Sequence, residues 1–142
     1  MKAIAIMEKT IDASAYARDT VIQFEEGLVG FSDCKSFVLV ENSDIAPFRR
    51  LQSAERPEVG FLVIDPCLIV ADYGLLIPRR EWASLGVAKP GDGIALAICI
   101  IGPGAAERTG NLQAPVLVNH SRMIGKQIIL TETGLNSRHP LL

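Results

Sequence analysis

Histidine, cysteine and aromatic residues are scarce in this chain, and each scarcity removes a class of function. The 142 residues include two histidines, three cysteines, one tryptophan, two tyrosines and five phenylalanines. Cys34, Cys67 and Cys99 are odd in number, far apart and form no C-x-x-C pair, which argues against a disulfide framework or a structural zinc site. Their spacing of 33 and then 32 residues falls in unlike surroundings and marks no repeat. The apolar neighbours of Cys67 and Cys99 predict buried, reduced thiols. There is no G-x-S-x-G elbow, no phosphate-binding G-x-x-x-x-G-K-[ST] loop and no H-E-x-x-H. Gly91-Asp92-Gly93 lacks the third glycine of a dinucleotide fingerprint and precedes a strand, not a helix. His120 and Ser121 are adjacent, so on a strand they face opposite ways, which is wrong for a base and its nucleophile. Glu25 and Glu26, just before Gly27, read as solvated turn residues. The chain therefore predicts no catalytic residue, no metal site and no cofactor.

Long apolar runs are also missing. The longest, 94–101, has eight residues, whereas a membrane-spanning helix needs about 20. The apolar stretch 3–7 stops at Glu8, short of the roughly 7–15 residues of a signal-peptide core, so the expected location is the cytoplasm. Net charge is −2 with a pI near 5.7. Residues 1–71 carry seven Lys/Arg against eleven Asp/Glu, and residues 72–142 carry seven against five. Basic residues are scattered, with doublets only at Arg49-Arg50 and Arg79-Arg80, so a direct nucleic-acid partner is disfavoured.

Against these absences, 49% of the residues are hydrophobic and 21% charged, the balance of a folded globule. The length predicts one domain over 1–142 with a core that needs no staples. Short β-branched and aromatic runs bounded by polar clusters predict strands at 19–24, 37–40, 48–52, 59–64, 68–70, 94–101, 116–119 and 126–130, with a weaker one at 3–7. The 94–101 run is apolar on both faces and must be covered on both. Pro78 and Gly86 bracket a short helix over 79–85, with Trp82 and Leu85 on one face. The remaining stretch 102–112 reads as a loop of eleven residues, long enough to carry function. The fold class is mainly β, a small antiparallel barrel or sandwich with one short helix.

Several stretches stand out for shape. Phe24, Gly27, Leu28, Gly30 and Phe31 form F-x-x-G-L-x-G-F, where the glycines permit positive φ and let both rings turn inward. Asn111 to Asn119 reads N-L-Q-A-P-V-L-V-N; Pro115 stands at a strand start, and both asparagines can tie their amides to nearby backbone. Together with L-Q-S around Gln52, F-L-V-I-D-P ending in Asp65-Pro66, G-K-Q-I-I-L around Gln127, and S-R-H-P-L at the end, these motifs occur in a fixed order. The ordered set, over roughly 19–142, resembles the flagellar assembly factor FliW family. The 77–86 segment is more basic than that resemblance leads one to expect.

The resemblance implies a non-enzymatic regulator built on a small β-barrel. Such proteins bind flagellin in the cytoplasm and, once free of it, bind the RNA-binding translational regulator CsrA, relieving repression of flagellin messenger RNA. An acidic half suits a basic RNA-binding partner, with Glu25, Glu26, Asp33, Glu41 and Asp44 as its carboxylates. The expected partner surface is the 102–112 loop with the tail: Pro103, Arg108, Asn111, Leu112, Arg138 and His139. The motif residues Phe24, Gly27, Leu28, Gly30, Phe31, Gln52, Asp65, Pro66, Pro115, Asn119 and Gln127 are expected to be structural. Two rival readings are weaker. A single-strand nucleic-acid-binding barrel would need exposed rings among basic residues. A small hydrolase-like enzyme would need Asp65, His120 or His139 gathered with a thiol.

Overall fold

The computed structural model describes residues 20–102, 104, 107–131 and 133–141, and among these residues it has nine strands, one short α-helix and several 3-10 turns. The strands are β1 (Val21–Phe24), β2 (Ser36–Val40), β3 (Arg49–Ser53), β4 (Gly60–Ile64), β5 (Ile94–Ile101), β6 (Arg108–Gly110), β7 (Val116–Asn119), β8 (Ile124–Gln127) and β9 (His139–Pro140); helix α1 is Arg79–Ser84. They are ordered β4-β3-β2-β1-β8-β7-β5-β6-β9, and β4 also pairs with β5, which closes a seven-stranded barrel. The expected antiparallel barrel is found with one exception. β1 and β8 run parallel, with Gln23 opposite Ile124 and Phe24 opposite Gly125. No hairpin joins this pair, so the intervening chain is free to bring β8 in along the same direction as β1.

Alternation along the strands sorts side chains into two cores. Phe61 and Val63 of β4, Leu96 and Ile98 of β5, and Val116 and Val118 of β7 fill the barrel with Ile22, Phe24, Phe37 and Leu51. Their neighbours Leu62, Ile64, Ala97, Cys99 and Leu117 point outward into a second core with Tyr73, Ile77, Trp82, Leu85, Leu112 and Leu141. The period of two thus explains why β5 is apolar throughout: one face fills the barrel and the other lies under the 65–93 segment. Inside the barrel, Phe24 meets Phe37 edge-on at 5.5 Å between centroids, and Phe31 meets Phe61 edge-on at 5.2 Å. Such pairs add about 0.5–1.5 kcal/mol to the burial of the rings.

Four expectations about elements need comment. The strand at 68–70 does not form. Pro66 supplies no N–H, and the Asp65 carboxylate accepts from the Cys67 amide, so Pro66–Leu68 turns as a 3-10 helix. The 102–112 loop is interrupted by β6. β7 pairs only with the 94–96 end of β5, and the Cys99–Ile101 edge is satisfied by Gly110, Thr109 and Arg108. β8 begins two residues earlier than expected and stops at Gln127. The 3–7 strand lies outside the described residues. The helix forms where expected, one residue shorter at its end. Gly86 follows it at φ +79°, and among the described residues no helix is long and apolar enough to cross a membrane.

Candidate interaction surfaces

The motif residues hold the barrel together. After Phe24 the chain reverses through Gly27 (φ +68°) and Gly30 (φ +84°), and Leu28 bridges Phe31. A Cβ on Gly27 would stand 2.6 Å from the Phe31 carbonyl oxygen, so the first glycine is required by contact as well as conformation. Gln127 clamps this turn to the Asn111–Pro115 region: its Oε1 accepts from Val29 N at 2.8 Å and its Nε2 donates to Ala114 O at 3.0 Å. Gln52 is buried, and its Nε2 lies within 3.2 Å of the Ser53, Pro57 and Val59 carbonyls. Asn119 donates to Leu85 O at 2.7 Å while its Oδ1 accepts from Ser121 N and Arg122 N. It ties the β7–β8 turn to the end of α1. Pro66 and Pro115 are buried, and Pro115 O accepts from Ile128 N.

The residues expected to meet partners are divided by the fold. Arg108 and Arg138 are exposed, and His139 is half-buried where β9 pairs with β6. The tail therefore docks: Leu141 is buried and its N–H donates to Arg108 O at 2.8 Å. Asn111 is half-buried, its side-chain Oδ1 accepting from Gln113 N and Ala114 N. Leu112 is a correction. Its side chain is fully buried in the outer core and its carbonyl accepts from the Tyr73 hydroxyl, so it cannot present itself to a partner. Pro103 lies outside the described residues.

The five carboxylates of the acidic half do not form one patch. Glu25, Glu26 and Asp33 stand in the β1–β2 turn, and Glu41 and Asp44 in the β2–β3 turn at the other end of β2. At the first end they are joined by Glu55 and Glu58, with Lys35 and Arg56 as the nearby cations. Arg56 pairs with Asp33 at 3.2 Å and with Glu58 at 3.1 Å. Glu58 is held below the usual carboxylate range, first by a hydrogen bond to its own backbone and then by Arg56.

Sequence reasoning missed a cleft of about 660 Å³ at the opposite end. Arg49 of β3, Ile94 and Ala95 of β5, Leu75, Arg79 and Trp82 are among its walls. Leu75 is 85% exposed, and its chain neighbour Leu76 and the residue after Cys67, Leu68, are exposed too. The Trp82 indole Nε1 is buried with no hydrogen-bond partner among the described residues. A legible signal existed: two adjacent leucines ahead of Pro78-Arg79-Arg80 fit neither a strand nor the buried face of the helix.

Cys67 also needs correction. It is exposed at the cleft, whereas Cys34 and Cys99 are buried. Burial pushes the Cys99 thiol up to about 12. The Cys67 thiol is raised as well, chiefly by partial burial, with the Asp65 carboxylate adding to it. Asp65, His120 and His139 stand on separate elements, and no hydrogen bond among the described residues joins them. Taken together, the barrel, the clamped turns and the charged ends define a small β-barrel protein.

The FliW protein family model matches residues 5–141. The flagellar assembly factor FliW of Natranaerobius thermophilus is 34% identical over 124 residues, covering 87% of this chain and 82% of the relative. That of Leptospira interrogans serovar Lai is 32% identical over 140 residues, covering 98% and 93%. A crystal structure of a flagellar assembly factor FliW superposes with a TM-score of 0.79 at 30% identity, covering 88% of this chain and 87% of that one. The chain belongs to the FliW family of flagellar assembly factors.

Proposed function

We propose that this protein works in the cytoplasm as a non-enzymatic partner switch: it binds flagellin, and when flagellin is exported it binds CsrA and relieves repression of flagellin messenger RNA. Family membership is the observation that carries the reading. The chain's own residues support it, because Gln127 joins three of the motif stretches that mark the family, its own, the Phe24–Phe31 turn and Asn111–Asn119, into one scaffold. Two binding equilibria then share one limited component, and the population of each complex follows the free concentration of flagellin. Arg108 and Arg138 belong to the partner surface in this reading, and the Glu25, Glu26 and Asp33 end faces the basic regulator.

Separate titrations with purified flagellin and CsrA test it. Saturable binding of both is expected. Replacing Glu25, Glu26 and Asp33 with glutamine or asparagine should weaken the CsrA complex and flatten its salt dependence. Binding of neither partner, with all proteins folded, would contradict the reading.

A further inference from the structure

The S-R-H-P-L motif at 137–141 is docked by very few contacts. Asn136, just before it, is pinned where its carbonyl accepts from Leu112 N at 3.1 Å. Beyond that point Ser137, Arg138 and Pro140 are exposed, and the pairing with β6 is made by the two residues of β9. Leu141 is the one buried side chain of the motif. It sits over Gly110: a Cβ there would stand 3.4 Å from Leu141 Cδ2, 3.6 Å from Ile69 Cδ1 and 3.9 Å from Cys99 Sγ. Gly110, Ile69 and Cys99 thus form a socket for one aliphatic group. The register places Arg108 opposite Leu141, and the Leu141 N–H donates to Arg108 O at 2.8 Å. The backbone of Pro140 therefore faces away from β6. Proline has no N–H to offer on that outer side, so the tail pairs with β6 and blunts the new edge it makes.

We propose that the β6 edge and the socket over Gly110 form a strand-binding site for an extended segment of a partner protein, held in this structure by the chain's own tail. The tail shows what fits: a backbone antiparallel to β6 with one aliphatic side chain over Gly110. A segment of that kind replaces the tail and does not add outside it, because Pro140 gives no donor there. Main-chain bonds to β6 set its register, and the socket selects its side chain. A two-residue strand and a single apolar anchor make the tail a unit that opens without the barrel. Being attached, the tail competes at high effective concentration and excludes weak ligands. The proposal does not rest on the partner-switch reading and holds whichever protein supplies the segment.

The test uses the full chain, unaltered and as Leu141→Ser, with a fluorescent peptide of the tail sequence N-S-R-H-P-L-L, residues 136–142. The peptide should bind Leu141→Ser saturably and about tenfold or more tighter than it binds the unaltered protein, whose own tail competes. A control peptide with serine in the place of Leu141 should bind neither. On a Cys67→Ser background, maleimide labelling of Cys99 should quicken about tenfold or more in Leu141→Ser and slow again when the tail peptide is added. Hydrogen exchange of the unaltered protein supplies a readout that needs no variant: the Leu141 amide should exchange through a smaller opening than the amides of β4 and β5. The proposal is overturned if Leu141→Ser, shown to be folded by circular dichroism, binds no tail peptide or binds the control equally. It is also overturned if the Leu141 amide exchanges only with the whole barrel. These assays contain neither flagellin nor CsrA, so this proposal and the partner switch fail separately.

Discussion

Cys67 and Cys99 sit in apolar stretches of similar composition, yet the fold gives their thiols opposite access. Cys99 lies on the outward face of β5 beneath the 65–93 segment, while Cys67 sits on a 3-10 turn at the cleft. Neighbouring residue types reveal the strand but not what covers it, so thiol burial was not legible here. In the native protein a maleimide should label one of the three cysteines quickly, and all three should react in denaturant. Cys67→Ser should abolish the fast phase. Because the Cys67 thiol is raised, the fast rate should climb steeply with pH. Comparable native labelling of Cys34 or Cys99 would contradict the burial pattern. For Cys99 the folded value of about 12 exceeds the ordinary 9.0. Its contribution to stability is therefore intact below pH 9 and lost as pH rises toward 12, a loss that Cys99→Ala should reduce in alkaline denaturation curves.

At the scale of elements, strong periodic segments were readable and short ones were not. β4, β5, β7 and α1 carry their own alternation, turn residues or bracketing Pro and Gly, and they form within a residue or so of the expected bounds. β6 has three residues and β9 two. β6 exists because an open edge on β5, set by the distant end of β7, must be paired, and β9 in turn pairs with the outer edge of β6. The Phe24–Phe31 reversal was legible because it rests on glycine conformation, a local property. Its two glycines should respond differently to alanine. Gly30→Ala meets no atom within 4 Å and should cost only the left-handed penalty, about 1–2 kcal/mol. Gly27→Ala adds contacts of 2.6 Å to Phe31 O and 2.7 Å to Ser32 Cα and should cost about 3 kcal/mol or more. Chemical denaturation of both variants decides it; equal losses would show that the turn relaxes around the added methyl.

For the whole molecule, the two cores divide the labour. The inner core closes the barrel, and the outer one fixes the 65–93 segment and the tail against it. Exposure within the 102–112 stretch and the tail was only partly legible. Arg108 and Arg138 are exposed, but Leu112 is buried, although a loop of few charges reads as accessible. The structure folds that loop back, and Tyr73 hydrogen-bonds the Leu112 carbonyl from beneath. The cleft went unseen because its walls come from β3, β5, α1 and the 65–76 segment, which only the closed barrel brings together.

The most direct test of the partner switch follows CsrA bound to a labelled flagellin leader RNA. Adding this protein should release the RNA, and adding flagellin to the same mixture should restore the CsrA–RNA complex. RNA that stays bound on addition of this protein, with each component shown to be active, would contradict the account; so would release that flagellin does not reverse.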